Sequence, residues 1–214
     1  MTITKGQVTV IGLVLVAFII SFYFYPQMPA QMATHWNAKG QVDGYTGKDI
    51  GLFVMPCVMA GLAVLFFIIP YLDPLRRNIE KFRHYYDGFV VVVSIFMLAI
   101  NYHIILWNLG IQISTNMVIS VGLGFLWYYS GILCERAKRN WFIGIRTPWT
   151  LSSDRVWART HRVGGKLFKV AGIVAFVGVA FQKYVLFFVL VPAIAVAVFT
   201  IVYSFVIYQQ EKQG

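Results

Sequence analysis

The stretch NWFIGIRTPWTLSSDRVWARTHRVGGKLF, Asn140 to Phe168, is the most polar in a very apolar chain. Glycines and a proline punctuate it, and Trp141, Trp149 and Trp157 alternate with Arg146, Arg155, Arg159 and Arg162. On either side lie apolar runs too long for a soluble core. From Gly88 to Cys134 no residue carries a formal charge, a run of 47 residues. One membrane crossing takes roughly 20 residues, so this run holds two helices and a turn. The turn belongs near Asn108 to Asn116, where Gly110, Gln112, Ser114 and Thr115 gather.

The same reading extends outward in both directions. A first span covers Gln7 to Tyr25, longer than a signal-peptide core and without a small-residue cleavage site after it. A second covers Ile50 to Leu72 and contains Pro56, whose missing N–H frees a carbonyl that a neighbouring helix must satisfy. Beyond the polar stretch, a short fifth span starts near Gly165, with Lys166 and Lys169 reaching back to the headgroups, and Tyr184 to Gln210 makes a sixth. The chain thus reads as an all-α membrane protein, a six-helix bundle. Residues 1–72 form a two-span unit and residues 73–214 a four-span domain.

Charge sets the orientation. With the N-terminus inside, 15 of the 18 lysines and arginines fall on the cytoplasmic side and three, Lys39, Lys48 and Lys183, outside. That asymmetry places both termini in the cytoplasm. A net charge of +10 does not then point to nucleic acid, because the cations border spans and meet anionic lipid first. Cys57 and Cys134 lie in apolar runs and imply no disulfide framework.

Within the polar stretch, Ser152 or Ser153 caps a helix starting at Asp154. Helical periodicity puts Asp154, Trp157 and His161 on one face and Arg155, Arg159 and Arg162 on another. This is an interfacial amphipathic helix between helices 4 and 5, with tryptophan at headgroup depth, and Gly164-Gly165 bends it into the fifth span. Its arginines suit either lipid phosphates or an acidic partner. Ser152, Asp154 and His161 invite a catalytic-triad reading, but the serine and aspartate are helix-start chemistry, and no enzyme is expected. On the outside, Pro26 to Asp49 is the longest loop. There His35, Trp36, Asn37, Asp43 and Tyr45 offer donors, acceptors and aromatic faces for a peptide or headgroup, or simply satisfy one another. His35 and Asp43 are too few for a metal site, and no cofactor is expected.

The string Asn140 to Leu151, with Val156-Trp157, Thr160-His161-Arg162 and Gly164-Gly165, resembles the signature of the SdpI family of bacterial immunity proteins. Pro29, His35-Trp36-Asn37, Gly40, Asp43, Tyr45 and Lys48 resemble the short domain that precedes it in that family. The resemblance implies a membrane protein that confers resistance to a secreted antimicrobial peptide, met from outside. It also implies signalling, by holding a cytoplasmic transcriptional repressor at the membrane. Carried onto this chain, the inner candidates are Arg146, Pro148, Trp149, Trp157, His161 and Arg162, joined by Arg155 and Arg159 from the helical face. The outer candidates are His35, Trp36, Asn37, Asp43 and Tyr45. The alternative class is a small transporter or lipid-interacting membrane protein using the intramembrane Asn101 and His103.

Overall fold

A computed structural model of the protein describes residues 3–213. Helix α1 (Lys5–Phe24) begins with a reciprocal cap, Thr4 Oγ1 accepting from the Gln7 amide at 3.1 Å and Gln7 Oε1 from the Thr4 amide at 3.0 Å. It ends in a 3-10 turn at Pro26 and leads into an antiparallel pair, β1 (Gln31–Trp36) and β2 (Val42–Gly47). Then come α2 (Lys48–Leu72), the short α3 (Arg76–Glu80), α4 (Arg83–Asn108) and α5 (Thr115–Arg136). After a loop, α6 (Pro148–Ser152), α7 (Asp154–Val177) and α8 (Val185–Gln213) complete the chain. The expected all-α fold therefore carries one small addition, because the outer loop is a β-hairpin rather than irregular chain.

Five helical stretches among the described residues are long and apolar enough to cross a membrane. The fifth, Asp154–Gln213, runs 60 residues and folds back on itself at Phe181, where φ is −120° and ψ 54°. Its two arms, α7 and α8, pair antiparallel. Ser153 Oγ meets Glu211 Oε2 at 2.7 Å at one end, while at the other a methyl on Gly178 would lie 2.8 Å from Phe188 Cβ. Large apolar side chains such as Ile11, Leu15, Ile19 and Phe22 on α1, and Phe187, Ile194 and Val198 on α8, point outward. Hydrocarbon surrounds such a perimeter without cost, whereas water would not.

Helices α1, α2 and α4 pack as one group and α5, α7 and α8 as another, with α4 against α5 as the seam. In the first group, α2 contains two prolines, and each frees the carbonyl four residues earlier. The Leu52 carbonyl, freed by Pro56, accepts from Ser21 Oγ of α1 at 2.9 Å, and Asn101 Nδ2 of α4 backs that hydroxyl at 3.4 Å. The Phe66 carbonyl, freed by Pro70, accepts from Tyr86 Oη of α4 at 2.8 Å. Both freed carbonyls are thus tied to neighbouring helices. Around them Val10, Val14, Met59, Phe82, Tyr86 and Leu133 form the larger apolar core.

In the second group α5 and α7 touch backbone to backbone. A Cβ on Gly131 would lie 2.4 Å from the Gly165 carbonyl, and one on Gly172 2.6 Å from the Gly124 carbonyl. On each helix the two glycines are two turns apart and share one face. Ser120 Oγ continues the line, donating to the Ala175 carbonyl at 2.6 Å. Lipid gives helices no hydrophobic reason to associate, so close approach over small residues supplies the attraction. Here the structure corrects the expected bend. Gly164 and Gly165 are buried packing surface, and α7 runs through them unbroken, so the amphipathic segment expected from Asp154 is the start of α7 rather than a separate helix.

Candidate functional site

The loop from Ala137 to Ser153 lies at the end of the bundle where α5 and α8 finish and α7 starts. It is held as a built object rather than a tether. Asn140 is fully buried and uses all its capacity. Its Nδ2 donates to the carbonyls of Lys138 (2.8 Å) and Ile143 (2.9 Å), and its Oδ1 accepts from the amides of Phe142 (2.9 Å) and Ile143 (2.6 Å). Asp73, also buried, ties the α2–α3 connection to it by accepting from the amides of Leu75 (2.7 Å) and Trp141 (2.8 Å). Asn78 Nδ2 donates to the Arg139 carbonyl at 2.9 Å.

His161 closes the next turn of the loop. Its Nε2 accepts from the Ile145 amide at 2.9 Å, so that nitrogen is unprotonated, and its Nδ1 donates to the Trp157 carbonyl at 2.9 Å. The imidazole stacks on the Trp157 ring with centroids 3.9 Å apart. Gly144 crosses directly over it with φ +112°, and any Cβ there would fall 2.4 Å from Nε2. Trp157 is 2% exposed and donates from Nε1 to the Ala137 carbonyl at 2.9 Å. The predicted headgroup tryptophan is instead part of the core, because the face it shares with His161 turns onto the loop.

Thr147 and Thr150 form a reciprocal cap for α6, with Pro148 at its first position. Thr147 Oγ1 also reaches Ser204 Oγ of α8 at 3.0 Å, and Trp149 meets Phe205 edge-on at 5.1 Å. Ser153, rather than Ser152, caps α7. Ser152 Oγ donates to the Pro148 carbonyl, Asp154 pairs with Arg139 at 2.7 Å, and His161 is engaged by backbone on both sides. The triad candidates are therefore not brought together.

The loop's outer surface is basic. Arg146, Arg155, Arg159 and Arg162 are exposed, as is Pro148. A groove of about 660 Å³ runs beside them between α3, the end of α5 and the start of α7, lined among others by Lys81, Arg136, Lys138, Arg162 and Lys166. Its two carboxylates are already occupied, Asp154 by Arg139 and Glu135 by Lys169 at 2.8 Å.

At the opposite end the hairpin caps the bundle. Asn37 shapes its turn, its Oδ1 accepting from the amides of Lys39 (2.9 Å) and Gln41 (3.1 Å), while Gly40 takes φ +75°. His35 Nδ1 pairs with Asp43 Oδ1 across the strands, and Tyr45 is 65% exposed. Trp36 turns inward against His103 and Trp107, with centroids at 5.2 and 5.4 Å. The outer candidates thus divide, with His35, Asn37, Asp43 and Tyr45 on the rim and Trp36 beneath it. Sequence reading missed the anchor. Asn108 acts as a third strand, its Oδ1 accepting from the Ala33 amide at 2.8 Å and its Nδ2 donating to the Ala33 carbonyl at 3.0 Å.

An apolar perimeter, proline-freed carbonyls tied to neighbouring helices and structured caps at both ends define a multi-pass helical membrane protein. Residues 136–204 match the SdpI/YfhL protein family and residues 12–60 match DUF1648, a domain of unknown function. The two matched segments lie in that order, the shorter domain ahead of the SdpI/YfhL match. Along 207 residues it is 23% identical to Immunity protein SdpI of Bacillus subtilis (strain 168), covering 96% of this chain and 97% of that one. A 60-residue part, 28% of this chain, is 37% identical to the uncharacterized membrane protein YbgB of the same organism and spans 65% of it. No solved structure matches the chain.

Proposed function

We propose that the protein is a membrane immunity protein that protects its cell from a secreted toxic peptide. The observation that carries this is end-to-end similarity to an immunity protein, with both sequence motifs in order. Six crossings with both termini cytoplasmic complete the reading. The antiparallel α7–α8 pair and the weighting of lysine and arginine toward the signature loop support them.

In this arrangement the hairpin faces outside and meets the peptide through the aromatic and imidazole side chains of Trp36, His35 and Tyr45. The basic groove and the exposed arginines of α7 face the cytoplasm, where they hold an acidic partner such as a repressor at the membrane or rest on anionic lipid. Coupling between the ends requires two bundle states that bind the outer ligand unequally. The α4–α5 seam between the two helix groups is where such states differ.

The test is growth of a peptide-sensitive host exposed to the toxin-secreting strain, with and without this chain. Survival that depends on the chain supports immunity, and equal killing overturns it. Trp36→Ala is expected to reduce survival, since losing an aromatic anchor at an interface typically costs about 2 kcal/mol or more, roughly thirtyfold in affinity.

A further inference from the structure

Beneath the hairpin, four helices and the strand ends line an open chamber of about 540 Å³, with Val54 and Leu186 exposed on its rim. Its walls are apolar, with Val54 and Met55 from α2, Ile100 and Ile104 from α4, Ile119 from α5 and Val185 from α8. Two polar atoms in this lining have no partner. Trp36 Nε1 is buried with nothing to donate to, and His103 Nδ1 is likewise unpaired although His103 is only 4% exposed. The other imidazole nitrogen, Nε2, is already engaged by Thr115 Oγ1 at 2.9 Å. A buried N–H or ring nitrogen without a partner forfeits its hydration and gains no bond in return. Two of them, on rings 5.2 Å apart, border one apolar chamber, where a ligand that reached them could pair both.

Next to the chamber lies a polar groove of about 730 Å³ at the hairpin end, with Asn116 lining both. Lys39, from the hairpin turn, and Lys183, from the α7–α8 turn, both line that groove. Neither has a salt-bridge partner among the described residues.

We infer that chamber and groove together bind an extended peptide segment, an apolar side chain filling the chamber and a nearby carboxylate lying between Lys39 and Lys183. The inference rests on the immunity reading for its biological source and adds where and how the peptide is held. A peptide fits better than an acyl chain for a chemical reason. An extended peptide backbone presents carbonyls and N–H groups along its length, so it offers a carbonyl for Trp36 Nε1–H and a second carbonyl or an N–H for His103 Nδ1, whichever tautomer Thr115 selects. A hydrocarbon tail offers neither at that depth.

The test uses the full chain in lipid nanodiscs and follows the indole N–H resonance of Trp36, identified by its loss in Trp36→Phe. The probes are N-acetyl-Leu-Phe with a free carboxylate, the same dipeptide as its amide, and dodecanoate. The free dipeptide is expected to move the Trp36 resonance saturably, and the amide to bind about tenfold more weakly. Lys39→Gln with Lys183→Gln should erase that difference. His103→Leu should weaken binding at least tenfold, and so should Ile119→Trp, which fills the chamber without touching either unpaired atom. Equal or tighter binding of dodecanoate would overturn the peptide assignment, as would no saturable shift with any probe. The two readings fail separately. A chain that binds the dipeptide but gives no resistance loses the immunity reading only. Full resistance from Ile119→Trp, with dipeptide binding gone, loses the chamber's role in immunity only.

Discussion

Tyr86 holds the carbonyl of Phe66 at 2.8 Å, and that carbonyl is free only because Pro70 has no N–H to give it. Tyrosine and proline are therefore a matched pair on different helices. Tyr86→Phe should destabilise the protein by about 1–3 kcal/mol, the cost of an abandoned buried acceptor. In a Pro70→Ala background the same change should cost much less, since the alanine's own amide is then available to the Phe66 carbonyl. Thermal unfolding in detergent of both singles and the double measures the coupling, and strict additivity would show the bond to be incidental.

The glycine contact between α5 and α7 predicts steep sensitivity. Gly131→Leu or Gly165→Val drives a side chain into backbone and should lower stability by about 1–3 kcal/mol or more. Gly12→Leu on α1, where no atom lies within 4 Å, should be silent in the same assay.

For the signature loop, His161→Phe keeps the ring and removes both nitrogens. The Ile145 amide then loses its acceptor, and hydrogen exchange at Gly144 to Ile145 should accelerate by roughly tenfold or more, the equivalent of about 1.4 kcal/mol. Exchange unchanged from the parent would mean that Asn140 alone fixes the loop.

Orientation is checked by labelling in a background where Cys57 and Cys134 are replaced. Cysteine at Gly40 should react with an impermeant maleimide in intact cells. Cysteine at Ser152, exposed on the opposite end, should react only after the membrane is opened. The reverse pattern inverts the proposed topology.

Docking at the inner face is tested on residues that hold nothing together. Arg155, Arg159 and Arg162 are all exposed, so changing the three to glutamine should leave folding and insertion intact. Capture of a cytoplasmic partner, read by co-purification from crosslinked cells, should fall at least tenfold. Unchanged capture would point to the groove lysines or to lipid. Trp157→Ala is the wrong probe for this question, because that indole is structural.

The sequence makes the helices legible because long uncharged runs admit few alternatives, and even the demand for a partner at Pro56 is readable. It does not say that Ser21 is the partner, since that depends on where α1 lies. The hairpin escapes notice because Gln31–Trp36 and Val42–Gly47 are short, mix polar and apolar residues without strict alternation, and are docked by Asn108, 61 positions beyond Gly47 in the chain. Gly164-Gly165 reads as a bend by the habits of soluble helices, whereas between membrane helices glycine is a contact surface. Trp157 shows the same limit. Its helical face is predictable, but whether lipid headgroups or the protein's own loop cover that face is not. Of the candidate residues, the arginines stand on the surface as their periodicity suggests, while Trp157 and His161 build the platform beneath them.

The bonds from Thr147 to Ser204 and from Ser153 to Glu211 carry a consequence for how the protein is made. Both join the signature loop to the far half of α8, which is synthesised after the other helices. Until that helix leaves the ribosome, the loop lacks its final two anchors and its platform is incomplete. A chain without α8 would therefore display an unfinished loop, and only one with α8 in place would present the assembled surface. The order of synthesis then acts as an inspection step, since the assembled surface exists only once α8 lies beside α7.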